Sequence, residues 1–184
     1  MKRSENSTPS DSEPSSSSIL KAGLKAGALA AVLSLGVFAQ GPAVAAENPF
    51  AHLAGSWSGQ GKITVQNGTS ERIRCRGNYR DGGGGTTLTI SLRCASDSYK
   101  FELASDVTYD NGSISGSWNE TSRSVYGQIS GRATPTNITA QASAVGVTAS
   151  ISIATRGNSQ NVSIRSPGSE ISDITVTMSR GGGR

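Results

Sequence analysis

The sequence contains only one histidine and two cysteines among its 184 residues, which restricts the chemistry that it can perform. His52 precedes the first predicted strand, so no strand orients it for a Ser-His-Asp or Cys-His arrangement. No group of histidines, cysteines and carboxylates has the spacing of metal ligands. Glu102, Asp106 and Asp110 fall on the polar face of a predicted strand, which does not favour a carboxylate pair for glycoside hydrolysis. We therefore predict a protein that is not an enzyme and holds no cofactor or metal.

Excess charge and aromatic side chains are also scarce. Beyond residue 46 the chain carries 13 basic and 10 acidic residues, a net charge of +3, and 5% of the whole sequence is aromatic. Nucleic-acid interfaces need clustered lysines and arginines and usually aromatic stacking platforms, so we expect no nucleic-acid partner. The 23 glycines, together with abundant serine and threonine, are typical of short strands joined by tight turns.

The sequence has no apolar run long enough for a transmembrane helix, which needs about 20 residues. The run Ala26–Ala39 follows two lysines and precedes a Gly-Pro break and the small residues Ala43-Val44-Ala45-Ala46. That order is typical of a secretory signal peptide. We predict that residues 1–46 are a polar leader and signal peptide, cleaved near Ala45 or Ala46, and that the mature protein is periplasmic or secreted without a membrane span.

Residues 47–184 alternate between apolar and polar side chains, as a strand with one buried face does. Asn67-Gly68 is a turn signal between two such segments, and Asn111-Gly112 marks a two-residue hairpin turn. About ten segments and no helical periodicity after residue 54 indicate an all-β sandwich or barrel, built as an antiparallel meander. Since the other face of nearly every strand is polar, we predict one water-soluble domain over residues 47–184.

Many of the inward positions carry small residues. They are Gly59, Gly61, Gly116, Gly127, Ala140, Ala142 and Ala149. Small inward residues are compatible with a cavity, and equally with strands that close tightly without one. The sequence leaves both interpretations open.

The midpoint between the two cysteines, Cys75 and Cys94, falls within the glycine-rich loop Asp81–Gly85. If the flanking segments form a hairpin folded at that loop, the two side chains stand opposite each other and point to the same face. An exported protein keeps disulfides. We therefore predict a Cys75–Cys94 cross-strand disulfide on the apolar face, in preference to two free thiols or a redox-active pair.

The start Ala54-Gly55-Ser56-Trp57 and the late Arg180 resemble the ends of the calycins: lipocalins, fatty-acid-binding proteins, avidins and the small bacterial metalloprotease inhibitors. The resemblance implies a closed barrel, here of 8–10 strands, in which Trp57 plugs one end and Arg180 of the last strand packs across it. Gly116-Ser117-Trp118 repeats the pattern, either through duplication or as a similar strand start. The chain is longer than the inhibitors by about two strands.

Two functional hypotheses follow. The first is a binding protein that holds a small apolar molecule inside the barrel. The second is a protein-binding inhibitor of a protease or lysozyme, or an envelope interaction module, whose contact surface is either a barrel rim or the segment before Trp57, including residues 48–52. Separately, Arg72, Arg74 and Arg76 share the polar face of one strand with Arg93 on its neighbour. This cationic patch is compatible with an acidic partner or an anionic glycan, and equally with a solvated face that binds nothing.

Overall fold

The computed structural model describes residues 48–181, so the predicted signal peptide lies outside the described residues. This part of the chain forms ten strands that follow one another without an intervening helix. They are β1 (Gly55–Val65), β2 (Ser70–Gly82), β3 (Thr87–Ala95), β4 (Lys100–Asp110), β5 (Ser113–Glu120), β6 (Val125–Ala133), β7 (Asn137–Ala144), β8 (Val147–Arg156), β9 (Ser159–Arg165) and β10 (Ile171–Arg180). None of the described residues lies in a helix that is long and apolar enough to cross a membrane.

The strands form one closed barrel in which each strand is antiparallel to the next. The last strand returns to the first, since β10 pairs with β1 in a register that places Arg180 opposite Trp57 and Ile174 opposite Ile63. Closure leaves no strand edge unpaired, which removes the exposed backbone donors and acceptors of an open sheet. The prediction of an all-β antiparallel barrel is confirmed, and the sandwich is wrong.

The alternation in the sequence corresponds to the two faces of the barrel wall. In β2, Ile73 and Tyr79 are buried, whereas Arg72 and Arg74 are exposed. Cys75 and Cys94 are paired in the register between β2 and β3, both are buried, and they form a disulfide. The predicted cross-strand disulfide on the apolar face is therefore confirmed.

The inward glycines allow neighbouring strands to approach closely. A Cβ atom on Gly61 would lie 1.8 Å from the carbonyl oxygen of Thr175, and one on Gly59 would lie 2.1 Å from that of Thr177. Gly116, likewise, would meet the carbonyl oxygen of Asp106 at 2.0 Å. These distances are shorter than any contact between non-bonded atoms, so the glycines serve the packing of one strand on the next rather than enlarging the interior.

Candidate ligand-binding site

One end of the barrel is sealed by Trp57, which is 1% exposed. Its indole Nε1 donates a buried hydrogen bond of 2.8 Å to the carbonyl oxygen of Leu53, in the segment just before β1. The ring of Tyr79 stacks on the indole with 6.1 Å between ring centroids. The sole polar atom of the indole is thus satisfied inside the protein, and the rest of the ring fills the end of the barrel. We call this the Trp57 end.

Arg180 covers the same indole from the end of β10. Its guanidinium carbon lies 4.9 Å from the Trp57 ring centroid, and one of its terminal nitrogens donates a hydrogen bond to the carbonyl oxygen of His52. Gly55 lies beside the Arg180 side chain with a φ of +128°, a conformation that a residue with a Cβ rarely adopts. The three residues that the calycin resemblance singled out therefore meet in one cluster.

The segment before β1 forms part of this seal. Pro49 and Phe50 are buried, and the Phe50 ring packs edge-on against Tyr109 with 6.1 Å between centroids. Asn48 donates to the carbonyl oxygen of Gly84 at 3.1 Å, which ties the segment to the glycine loop between β2 and β3. Of the stretch suggested as a protein-contact surface, only Ala51 and His52 are exposed.

A buried hydrogen-bond chain lies just inside the Trp57 end. The Tyr79 hydroxyl donates to Gln160 Oε1 at 3.2 Å, and Gln160 Nε2 donates to Thr155 Oγ1 at 3.3 Å. Gln160 is 1% exposed, and burial raises the pKa of Tyr79 to about 12. Tyr79 therefore stays neutral and acts as a donor. The side chains of Tyr79, Gln160 and Thr155 satisfy one another's hydrogen bonds inside the barrel.

The middle of the barrel is hollow. The interior holds a cavity of about 240 Å³ whose walls are almost entirely apolar. Among the side chains that line it are Leu92, Leu103, Val107, Ile129, Ala149, Ile151, Val162, Ile164 and Ile174. Ser105 also lines it, and its hydroxyl already donates to the carbonyl oxygen of Ser117 at 2.9 Å. The wall thus offers dispersion contacts and almost no free hydrogen-bonding group.

The opposite end of the barrel, which we call the Phe101 end, is closed less tightly. Phe101 lines the cavity and is half-buried; Tyr99 stacks on it at 6.5 Å, and the Arg123 guanidinium carbon lies 4.9 Å from its ring centroid. The Tyr99 hydroxyl donates to Glu170 Oε1 at 3.1 Å. Trp118, also half-buried, lies at this end, where its Nε1 donates to the carbonyl oxygen of Gln128.

Trp118 stands near the end of β5, not at its start, because β5 begins at Ser113. The interpretation of Gly116-Ser117-Trp118 as a similar strand start is therefore wrong. Gly127 on β6 leaves room for the indole, since a Cβ atom there would lie 2.7 Å from two atoms of the Trp118 ring.

Glu120 organises the turn that carries Arg123. One carboxylate oxygen accepts from the backbone nitrogen of Glu102 at 2.8 Å and from that of Ser122 at 3.2 Å, while the other accepts from that of Arg123 at 2.9 Å. Desolvation raises the pKa of Glu120, but these hydrogen bonds outweigh it and hold the pKa below its ordinary value. Glu120 is therefore charged at neutral pH, with its oxygens already occupied.

The predicted arginine patch lies on the outer face of the barrel wall, opposite the face that lines the cavity. Arg72, Arg74 and Arg76 are all exposed on β2, and Arg76 is paired in register with Arg93 on β3. Arg93 forms a salt bridge of 3.5 Å with Glu102. Within residues 48–181, none of the three β2 arginines forms a salt bridge.

Sequence reasoning missed Gln160, Thr155, Glu120 and Arg123. Gln160 had a usable signal, because it occupies the inward parity of its strand with Val162 and Ile164. The contacts that Glu120 and Arg123 make with β4, to the backbone of Glu102 and to the ring of Phe101, had no such signal because they are not local in sequence. No group of three histidine, cysteine or carboxylate side chains that could hold a metal occurs in the described part of the chain.

No family model and no curated protein matches this chain. Solved structures do match. Rv2717c from M. tuberculosis is 14% identical over 72% of this chain and 94% of its own, with a TM-score of 0.56. The S-type phycobiliprotein lyase CPES from Guillardia theta is 11% identical over 73% of this chain and 92% of its own, with a TM-score of 0.51. At these identities the likeness concerns the fold alone, and the chain has a calycin-like fold, closed where Arg180 of the last strand covers Trp57 of the first.

Proposed function

We propose that this protein is an exported, non-enzymatic binding protein that holds a small apolar molecule inside its barrel. The observation that carries the proposal is the apolar cavity of about 240 Å³. An engineered apolar cavity of about 150 Å³ stays free of water and binds benzene. On that scale the proposed ligand has about ten non-hydrogen atoms.

The engaged polar groups of the interior support an apolar ligand. Ser105 donates to a backbone carbonyl, and Gln160 is held between Tyr79 and Thr155. A polar ligand group buried there without a partner would cost about 2–7 kcal/mol. Any polar group of the ligand therefore lies towards the Phe101 end.

The buried polar side chains also favour binding over catalysis. Of the residues that the structure describes, the buried polar ones are Ser105, Glu120, Thr155, Gln160 and Ser166, and each of them forms a hydrogen bond. None is a histidine or a cysteine thiol that would activate a nucleophile. The similar solved structure that is named a phycobiliprotein lyase supports only the broader idea that such a barrel accommodates a small molecule.

The inhibitor hypothesis has less support. An inhibitory segment must reach its partner, whereas Pro49 and Phe50 are buried in the seal at the Trp57 end. This burial favours a structural role for residues 48–50.

The proposal is tested by filling the cavity. Ala149 lines the cavity, and the next residue, Ser150, is exposed on the outer face of the same strand. We expect the protein to bind a small apolar fluorescent probe of about ten non-hydrogen atoms, such as naphthalene. Ala149→Phe should lower that affinity at least about tenfold, which corresponds to about 1.4 kcal/mol, while the matched control Ser150→Phe should leave it unchanged. The probe titration is done on protein recovered outside the cytoplasm, whose intact mass should correspond to a start at Ala46 or Glu47.

Equal probe binding by both variants would place the probe on the surface and contradict the proposal. If Ala149→Phe unfolds while Ser150→Phe does not, the interior has no space for a ligand, and the proposal is wrong. A cytoplasmic protein of full-length mass would contradict the export part alone.

A further inference from the structure

The outer face of β2 carries four arginines in one line. Arg72, Arg74, Arg76 and Arg80 all point outward, and Asn78 occupies the outward position between Arg76 and Arg80. We call these four residues the β2 arginine stripe. Because outward residues of a strand repeat about every 6.7 Å, the stripe is about 27 Å long.

The positive charge of the stripe is not neutralised by its neighbours. Arg72 pairs in register with Lys62 on β1, and Arg76 pairs with Arg93 on β3. Within the described residues, Arg93 is the only one of these six cations that forms a salt bridge, and its side chain remains 77% exposed. Like charges held opposite each other in a sheet repel and destabilise it. An anionic partner bound here would reduce that repulsion.

The stripe is flanked by hydroxyl and amide side chains, and a shallow depression of about 480 Å³ lies beside it. Its outward side chains are Ser56, Ser58, Arg76, Asn78, Ser91 and Arg93. Two guanidinium groups thus stand next to four neutral side chains that donate and accept hydrogen bonds. Guanidinium groups bind carboxylate and sulfate oxygens in a bidentate manner, whereas serine and asparagine side chains suit hydroxyl groups.

We infer that the β2 arginine stripe and this depression bind a linear anionic polysaccharide, with one acidic sugar between Arg76 and Arg93. The charged groups of the sugar chain pair with the arginines, and its hydroxyls meet the flanking serine and asparagine side chains. This surface lies on the outside of the wall, so the inference does not depend on the ligand proposed for the cavity.

Other anionic partners fit the surface less well. An extended peptide would bring its own backbone donors and acceptors, but β2 is already paired with β1 and β3 and offers no free edge. A membrane surface would need apolar side chains beside the charges, yet the exposed large hydrophobic residues of the described chain are Tyr126 and Val145, on β6 and on the β7–β8 turn. Single-stranded nucleic acid would need aromatic stacking platforms, and no exposed aromatic residue lies on β1, β2 or β3.

The test compares two charge-matched double variants. Arg74→Thr with Arg76→Thr removes two charges from the stripe, whereas Arg132→Thr with Arg156→Thr removes two exposed charges from β6 and β8. Binding is measured by calorimetry with a heparin octasaccharide, which carries sulfates, and with an octagalacturonate, which carries only carboxylates. We expect the stripe variant to bind at least one of them about tenfold more weakly than the unaltered protein, and the control variant to keep its affinity.

Several outcomes would overturn the inference. One is that neither oligosaccharide binds; a second is that both double variants lose affinity equally, which would indicate net charge alone. A third is that an oligoglutamate or a single-stranded DNA of equal charge binds as tightly as the sugars. If the stripe variant does not fold, amide chemical shifts of the unaltered protein decide: oligosaccharide should shift Ser58, Arg76 and Ser91, and shifts confined to other strands would contradict the site.

Discussion

At the Trp57 end, the side chains of Trp57, Phe50 and Met178 are almost completely buried, whereas at the Phe101 end Phe101 and Trp118 are only half-buried. The first end is sealed by a segment that precedes the barrel and by Arg180 from the last strand. The second is covered by turn residues, with Arg123 lying over the exposed side of an aromatic ring.

This difference in side-chain burial indicates which end of the barrel stays closed. Trp57 does not line the cavity, so removing its side chain would leave a void among close-packed atoms, whereas Phe101 and Trp118 already border the cavity. Local opening requires the loss of few buried contacts, so we expect it at the Phe101 end. A ligand of the cavity would then enter between Phe101, Trp118 and the turn that carries Arg123.

The largest expected effect compares the two tryptophans. Trp57→Ala should lower the free energy of unfolding by about 3–5 kcal/mol, because it empties a fully buried site. Trp118→Ala should lower it by about 1–2 kcal/mol, since the indole is half-buried beside an existing cavity. Denaturant unfolding followed by circular dichroism measures both. Equal losses for the two variants would show that the ends are closed equally well.

The disulfide offers a smaller and more local test. Cys94 is paired in register with Phe101, so the covalent link between β2 and β3 lies next to the looser end. Replacing both Cys75 and Cys94 by alanine should cost about 3 kcal/mol through the entropy of the unfolded chain. Hydrogen exchange should rise more at Leu103 than at Trp57. A uniform rise along the barrel would contradict the idea that the disulfide supports the Phe101 end in particular.

The smallest effect concerns pH and the turn at the Phe101 end. Because hydrogen bonds hold the pKa of Glu120 below its ordinary value of 4.5, the folded state gains stability from the charged form. That contribution is complete above pH 4.5 and is lost as the pH falls through the lowered pKa. Glu120→Gln should therefore lower the free energy of unfolding by about 1–2 kcal/mol at neutral pH, and the difference should shrink in acid.

Glu71 provides the matched control for that variant. Its pKa is also lowered, chiefly by hydrogen bonds from Ser98, but the carboxylate lies on the surface. Glu71→Gln should change stability less than Glu120→Gln at neutral pH. Unfolding curves recorded at neutral pH and in acid distinguish the two, and a constant deficit for Glu120→Gln at both would contradict the role given to its charge.

Much of the architecture was predictable because it depends on local patterns. The period of two that places Ile73 and Cys75 inward and Arg72 outward needs only the residues of one strand. The Cys75–Cys94 pair follows from a hairpin, where opposite residues are related by simple counting about the turn. Closure of the barrel was predictable because Gly55, Trp57 and Arg180 resemble the ends of the calycins, a resemblance that implies a last strand returning to the first.

The sequence by itself determined the alternation, the hairpins, the disulfide and the closure, since each depends on parity, turn residues or the two ends of the domain. Only the tertiary structure decided whether the inward small residues leave a space. Gly59 and Gly61 pack against neighbouring backbone, yet a cavity remains because the side chains lining the middle of the barrel do not fill it. Interior volume depends on how all ten strands approach one another, and no single strand contains that information.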